Sequence, residues 1–472
     1  MDVFAQLIEF RQATYQCLCR AKDATFELMD AILLTRNAYS LADLSMCPVF
    51  RRQWSSIYEA IQDTRPQRHK LMRLYTKEIP KQERIILAGD HTAWSRPDAP
   101  TLRERTYEHY AQGGRGGRPV TPGYGYSTIA WIPETEGSWA LPLRHERITS
   151  WENPIDKAVW QLQQVCPHLP SRPITLWDIE YGCAPFVIKT ANIKADKLMR
   201  LRSNLCLWGE PPKYSGRGKP RVHGEKFKLN DTSTWSETTQ TIEQEDAKLG
   251  RVRIQLWTGK HFRLSPDHPM SIILVERLLE DGYPRVNKPM WLAFVGEEMP
   301  PLSELWKLYL RRFAVDALSP KILPALVLLI CVPRRVLVVI GLAKFLRVRP
   351  RNHWYRFLKQ RLHWTLPKLA TPQQCDRWSD LMPLMTWELW LARDIVNDNP
   401  LPWQKQMTQF TPGRVAQAMP GILLRVSTPA KSPKPRGKSP GWKTGQPRQR
   451  RIRYPIVKKR TSYSPKPEQK PA

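Results

Sequence analysis

The sequence predicts a layered α/β fold, and three observations point to it. Between residues 83 and 210, short β-branched apolar runs alternate with amphipathic stretches of helical period. Two of those runs close on an aspartate, Asp90 and Asp178. The texture of the chain then changes near residues 211, 301 and 425, as expected when 472 residues are too many for one compact core.

Taken in order, residues 1–82 read as helical. Phe4, Leu7, Ile8 and Phe10 open an amphipathic run, and Leu28, Met29, Ile32 and Leu33 continue it at helical spacing. Cations from Arg65 to Arg73 lie beside apolar residues, which suits an ordinary bundle and a helical DNA-binding domain alike. ERIILAGDHTAW reads as a buried strand with Asp90 at its tip. The Gly-rich stretch from Gly113 to Gly125 lacks the GK[ST] ending of a phosphate loop and reads as a flexible turn. YSTIAWIPE and GSWALPLRHERI form a hairpin pair, and ENPIDKAVWQLQQVCPHL is a helix with Ala158, Leu162 and Val165 on one side. RPITLWDIEYG is the next strand, ending at Asp178; APFVIKTANIKADKLMRL (184–201) reads as a helix and NLCLWG as a short strand. Residues 83–210 thus make the first part of the core.

Residues 211–300 open with a turn-rich basic stretch and continue as short strand-like runs, a β-rich insertion. Residues 301–316 and 353–424 read as the helical completion of the core, with Ser303 as N-cap and Glu304 in the first turn of LSELWKLYLRRFAVD. Residues 317–352 hold two apolar runs around Pro333-Arg334-Arg335, with further prolines at 320, 324 and 350. A continuous helix is excluded by those prolines, and two central arginines would each cost ~2.5–3.5 kcal/mol in a bilayer, so no membrane span is expected. Residues 425–472 carry 15 Lys or Arg, one acid and nine Pro, a composition that cannot bury a core; they read as a disordered, nonspecific DNA clamp.

A net charge of +31 calls for a polyanionic partner, nucleic acid first. The eight cysteines include no CxxC pair and no His at ligand spacing, which argues against a zinc site and for reduced thiols. MDVFAQLIEF has two acids and no basic n-region, unlike a secretory signal, and a cytoplasmic protein is expected.

Acids on neighbouring strand ends supply hard oxygen ligands, and three carboxylates can hold two Mg²⁺ about 3.5–4 Å apart for displacement at phosphorus. Tyr309, Arg312 and Asp316 fall at offsets 0, 3 and 7, one face of a helix. With the 36 residues 317–352 set aside, Lys359 joins that face at offset 14.

These features together resemble an insertion-sequence DDE transposase of the cut-and-paste group, of the kind common in cyanobacteria, over most of the chain. The carriers are GDHTAW around Asp90, STIAWIPETEGSWALPLRHERI, WDIEYGCAPFV around Asp178, the split YLRRFAVD…HWYRFLKQRLHWTLP, FTPGRV (410–415) and KPRGKSPGW. The split segment matches the signature Tyr-x2-Arg-x3-Glu-x6-Lys, with Asp316, one methylene shorter, in place of Glu. The resemblance implies an RNase H-like catalytic core with a β-rich insertion between the second and third acids. It implies Asp90, Asp178 and Asp316 as the triad holding two Mg²⁺ (or Mn²⁺), with Tyr309, Arg312 and Lys359 in support. Double-stranded DNA, as transposon ends and target, would be the substrate, bound by a homodimer at the bacterial nucleoid. Because residues 317–352 interrupt the signature helix, the alternative is a catalytically impaired, transposase-derived DNA-binding protein. Glu180 and Glu304 are the nearest substitutes should the triad not converge.

Overall fold

The structure is a computed structural model, and it describes residues 3–81, 84–109, 120–216, 218–247, 250–279, 289–314, 354–435, 444–447 and 450–459. The chain opens with five helices: α1 (Ala5–Cys17), α2 (Lys22–Leu34), α3 (Leu41–Leu44), α4 (Ser55–Asp63) and α5 (Arg68–Lys77). Ser40 and Asp43 close a capping box on α3. α2 is buried almost all round, from Thr25 to Leu33, so it is a core helix rather than a surface one.

Strands β1 (Ile85–Ser95), β2 (Thr106–His109), β3 (Val120–Trp131) and β4 (Leu141–Ile148) follow. Then come α6 (Pro154–Val165), β5 (Pro173–Trp177), α7 (Ala184–Thr190) and β6 (Asp196–Arg200). Asn153 caps α6 by accepting from the Asp156 amide, with Pro154 in the first turn, where its missing N–H costs nothing. The strands β7 (Cys206–Trp208) and β8 (Lys226–Lys228) form a small separate sheet. Four further strands, β9 (Gln240–Asp246), β10 (Gly250–Lys260), β11 (Met270–Arg277) and β12 (Met290–Val295), lead to α8 (Leu302–Leu310), which tightens into a 3₁₀ turn at Arg311–Ala314. Beyond residue 353 lie α9 (Trp354–Gln360), α10 (Pro372–Ala392) and α11 (Pro412–Val426).

One mixed sheet organises the molecule, in the order β2-β3-β1-β5-β6-β12-β11-β10-β9, with β4 also on β3. β1, β5 and β6 run parallel to each other, and the remaining pairings are antiparallel. The β-rich segment after residue 211 therefore continues the central sheet, because β12 pairs with β6. This mixed α/β architecture is consistent with an RNase H-like core.

The helical layer is locked to the sheet by aromatic and charged contacts. Trp387 of α10 stacks on Tyr75 of α5 at 5.5 Å and on Trp131 of β3 at 6.0 Å, and its indole N–H donates to the Pro142 carbonyl. Arg11 of α1 meets Asp30 of α2 at 2.9 Å and Glu388 of α10 at 2.8 Å, all three buried.

Several expectations are corrected. β1 does not end at Asp90; its antiparallel pairing with β3 carries it on to Ser95, opposite Gly123. Residues 120–125, read as part of a flexible turn, belong to β3, while 113–119 lie outside the described residues. The helix read over 184–201 stops at Thr190, and 196–200 form β6; this stretch is almost wholly buried between β5 and β12 and shows no period-2 pattern. Ser303 lies inside α8, whose N-cap is Pro301, with Glu304 in the first turn as expected. Arg425 belongs to α11. In the basic tail, Tyr454 donates its amide to the Pro100 carbonyl, Val457 bridges to Thr106 of β2, and Lys459 meets buried Glu108 at 2.7 Å. The unpaired side of β2 gives these residues backbone partners, so this stretch, expected to be disordered, is docked. Among the described residues no helix is long and apolar enough to cross a membrane.

Candidate active site

The parallel pairing of β1 with β5 runs as far as Ala88 opposite Leu176. Asp90 and Asp178 follow at equal offsets, two residues past the last pair, with Asp178 just beyond the end of β5; neighbouring strands lie about 4.8 Å apart. Close approach here depends on Gly89: a Cβ at that position would overlap the Trp177 ring, which lies across it. Trp177 is itself held by an indole hydrogen bond to Thr175 and by the rings of Tyr181 and Phe186 at 4.7 Å. Asp90 is buried, at 6 % exposed, and Asp178 is half-buried, its carboxylate accepting the Glu180 amide at 2.9 Å.

Two cations converge on Asp90 from chain segments that are far apart in sequence. Arg312, in the 3₁₀ turn after α8, is buried and places Nη1 4.0 Å from Asp90 Oδ1. Lys359 of α9 donates to Thr92 Oγ1 at 2.8 Å, two residues along β1 from Asp90. Burial pushes the Lys359 ammonium down to about 8, and Asp90 pulls the other way. A buried carboxylate is costly unless charges or donors meet it, and these two residues meet it. Tyr309 stays on the same side as Arg312, since an i, i+3 pair in a tight helical turn stays on one face. Tyr309 is fully buried, with the Arg312 guanidinium 5.9 Å from its ring centre; burial raises its hydroxyl, with Arg312 and Arg200 opposing.

α9 is pinned from both sides. The Tyr355 hydroxyl is 3.1 Å from the Asp90 carbonyl and 2.8 Å from Thr128 Oγ1, and Thr128 Oγ1 is 2.8 Å from His145 Nδ1. A carbonyl only accepts, so Tyr355 donates to it and the chain of donors runs His145, Thr128, Tyr355, Asp90. His145 is held neutral, pushed down to about 3 by burial. At the far end of α9, Arg361 donates to the Ile32, Leu33 and Thr35 carbonyls at the end of α2.

A second polar group flanks the acids. His91 Nε2 is 3.1 Å from Glu180 Oε2, and its Nδ1 is 3.2 Å from the Tyr181 hydroxyl. Burial first, then the charges of Asp178 and Asp90, hold Tyr181 well above the usual phenol range. Tyr181 thus keeps its hydroxyl proton, and the His91 ring is held between that hydroxyl and the Glu180 carboxylate.

Of the residues singled out from the sequence, Asp90, Asp178, Tyr309, Arg312 and Lys359 gather around the β1–β5 strand ends. Asp316 lies outside the described residues. Glu180 turns to His91, and Glu304 pairs with Arg84 at 3.5 Å at the opposite end of α8 from Arg312. Among the described residues no group of three or more metal-ligating side chains comes together. His91, Thr92, Thr128, Tyr181 and Tyr355 were not anticipated; His91, Thr92 and Tyr181 lie beside the acids in GDHTAW and WDIEYG, Tyr355 lies in the split segment, and Thr128 lies apart from both in STIAW.

No curated protein matches the chain. A family model described as DDE superfamily endonuclease matches residues 13–260, just over half of the chain, a span that holds Asp90 and Asp178 and ends before Tyr309. On that match the chain belongs to the DDE superfamily endonucleases.

Proposed function

We propose that the protein is a DNA transposase that cleaves strands at the ends of an insertion sequence and transfers them to target DNA. The observation that carries this reading is the convergence of Arg312 and Lys359 on the strand that bears Asp90, beside the strand that leads to Asp178. The two cations come from opposite sides of residues 317–352, so their meeting supports a working site over an impaired one.

Two carboxylates at the ends of adjoining parallel strands are hard oxygen donors suited to a divalent cation, and Asp316, four residues beyond Arg312 in sequence, would be the third ligand. Asp90, Asp178 and Asp316 would hold two Mg²⁺ (or Mn²⁺), which when bound supply Lewis acidity at phosphorus and at the attacking and leaving oxygens. Arg312 and Lys359 draw the phosphodiester oxygens toward the acids by charge-assisted hydrogen bonds. Tyr355 and the Thr128–His145 chain behind it fix the Asp90 backbone, so that α9 and β1 keep Lys359 in register with the acid. His91, oriented by Glu180 and Tyr181, borders the same space.

The test is strand cleavage of DNA carrying the element's terminal repeats, in Mg²⁺, by the full chain and by Asp178→Asn. We expect nicks leaving 3′-hydroxyl ends, joined to target DNA on longer incubation, and a loss of at least a thousandfold in the variant with DNA binding kept. Equal cleavage by both proteins would remove Asp178 from the chemistry. A full chain that stays inactive while one lacking 317–352 cuts would favour the impaired reading.

A further inference from the structure

The register that gives Asp178 the same offset as Asp90 continues to the next parallel strand. β5 pairs with β6 up to Trp177 opposite Met199, so the next residues along are Asp178 and Arg200. Three neighbouring parallel strands thus present a row of aspartate, aspartate and arginine. On its far side Arg200 pairs with Leu292 of β12, and the Gly182 backbone packs so closely on the Arg200 carbonyl that a Cβ at residue 182 would clash. The main chain of Arg200 is therefore held on both flanks, and the half-buried side chain is what remains adjustable.

Opposite charges level on adjacent strands ordinarily pair. Here the Arg200 side chain makes no hydrogen bond or ion pair with another described residue. Its charge nonetheless acts on the buried Tyr309 hydroxyl, together with those of Arg312 and Asp178, so both arginines lie within electrostatic reach of that ring. An arginine fork kept beside carboxylates but not paired with them suits a planar anion arriving from outside.

We propose that Arg200 is a phosphate-binding residue of this site, holding a DNA phosphodiester beside Asp178. This rests on the endonuclease reading above and adds to it the strand-end position that receives the DNA backbone. The fork binds two phosphate oxygens and so aligns the bond to be cut, whereas a point charge at the same place would attract the backbone without aligning it.

The experiment compares the full chain with Arg200→Ala, Arg200→Lys and Asp178→Asn, each with a melting curve as a check on folding. Binding to a mixed-sequence duplex is measured across salt concentrations, and cleavage is measured in single turnovers on a plasmid carrying the element. We expect Arg200→Ala to lower the slope of log K against log salt by about 1 and to slow cleavage at least tenfold at saturating protein. Arg200→Lys should restore the slope and only part of the rate. An Arg200→Ala protein with the slope and rate of the wild type would overturn the proposal while Asp178→Asn, if inactive, leaves the endonuclease reading intact. Should the wild type itself not cleave, that reading fails and the slope alone decides on Arg200, a drop upholding it and no change overturning it.

Discussion

Glu388 gives the sharpest stability test, because one cation faces two buried carboxylates. Arg11 donates Nη1 to Asp30 at 2.9 Å and to Glu388 at 2.8 Å, and neither acid is appreciably exposed. With one positive and two negative charges, the cluster carries an excess negative charge away from water. Burial accordingly drives Asp30 upward and Glu388 from 4.5 to about 7, while Arg11 holds both back. The native state then keeps a proton that the unfolded chain has released. For a raised carboxyl, the stabilisation is complete below about 4.5 and is lost as pH rises through about 7. A shift of this size corresponds to roughly 3 kcal/mol at ~1.4 kcal/mol per pKa unit. Urea denaturation of the full chain and of Glu388→Gln at pH 5, 6, 7 and 8 reads it directly. The wild type should lose roughly 2–3 kcal/mol relative to the variant between pH 5 and 8, with the acids outside this cluster cancelling in the difference. Two stability curves that stay parallel across that range would refute the reasoning.

Three further outcomes follow from the same geometry. His145, neutral and buried with its folded value near 3, contributes stability that is present above about pH 6.5 and lost as pH falls, at ~1.4 kcal/mol per unit; a His145→Gln protein should lack that acid slope in the same denaturation series. Gly89→Ala should cost about 1–3 kcal/mol in melting experiments and slow cleavage, since the new methyl group displaces Trp177, the last residue of β5, and with it the neighbouring Asp178. Truncation after residue 435 removes the contacts of Tyr454, Val457 and Lys459 with the β2 side of the sheet, and light scattering should then show self-association at concentrations where the full chain is uniform.

What the sequence made legible follows from where the signal sits. β1 and β5 stand out as apolar β-branched runs, and an acid directly behind such a run is visible without any structure. β6 was missed because DKLMR is built from good helix formers and takes its strand conformation from β5 and β12 on either side. β9, QTIEQED, has the polar face of an edge strand, with Glu243 paired to Arg251 and Arg253, and carries no apolar run to mark it. The supporting residues were hidden for another reason: Tyr355 reaches Asp90 across 265 residues of sequence, and Arg11 reaches Glu388 across 377. Contacts over such separations leave no local pattern. Lys359 was singled out by a spacing rule that needs 317–352 set aside, and it lies beside β1 although α8 and α9 are separate helices.

The most direct measurement on the central claim, that Asp90 and Asp178 act on one phosphodiester, is a double-mutant comparison of cleavage rates. Asp90→Asn, Asp178→Asn and the double variant would be assayed in Mg²⁺ on DNA carrying the element's ends, with DNA affinity measured in parallel. If the two carboxylates work as a unit, each single change should fall to nearly the same floor as the double, with affinity kept. Two modest losses that simply multiply in the double variant would show that the acids act separately and would contradict the shared site.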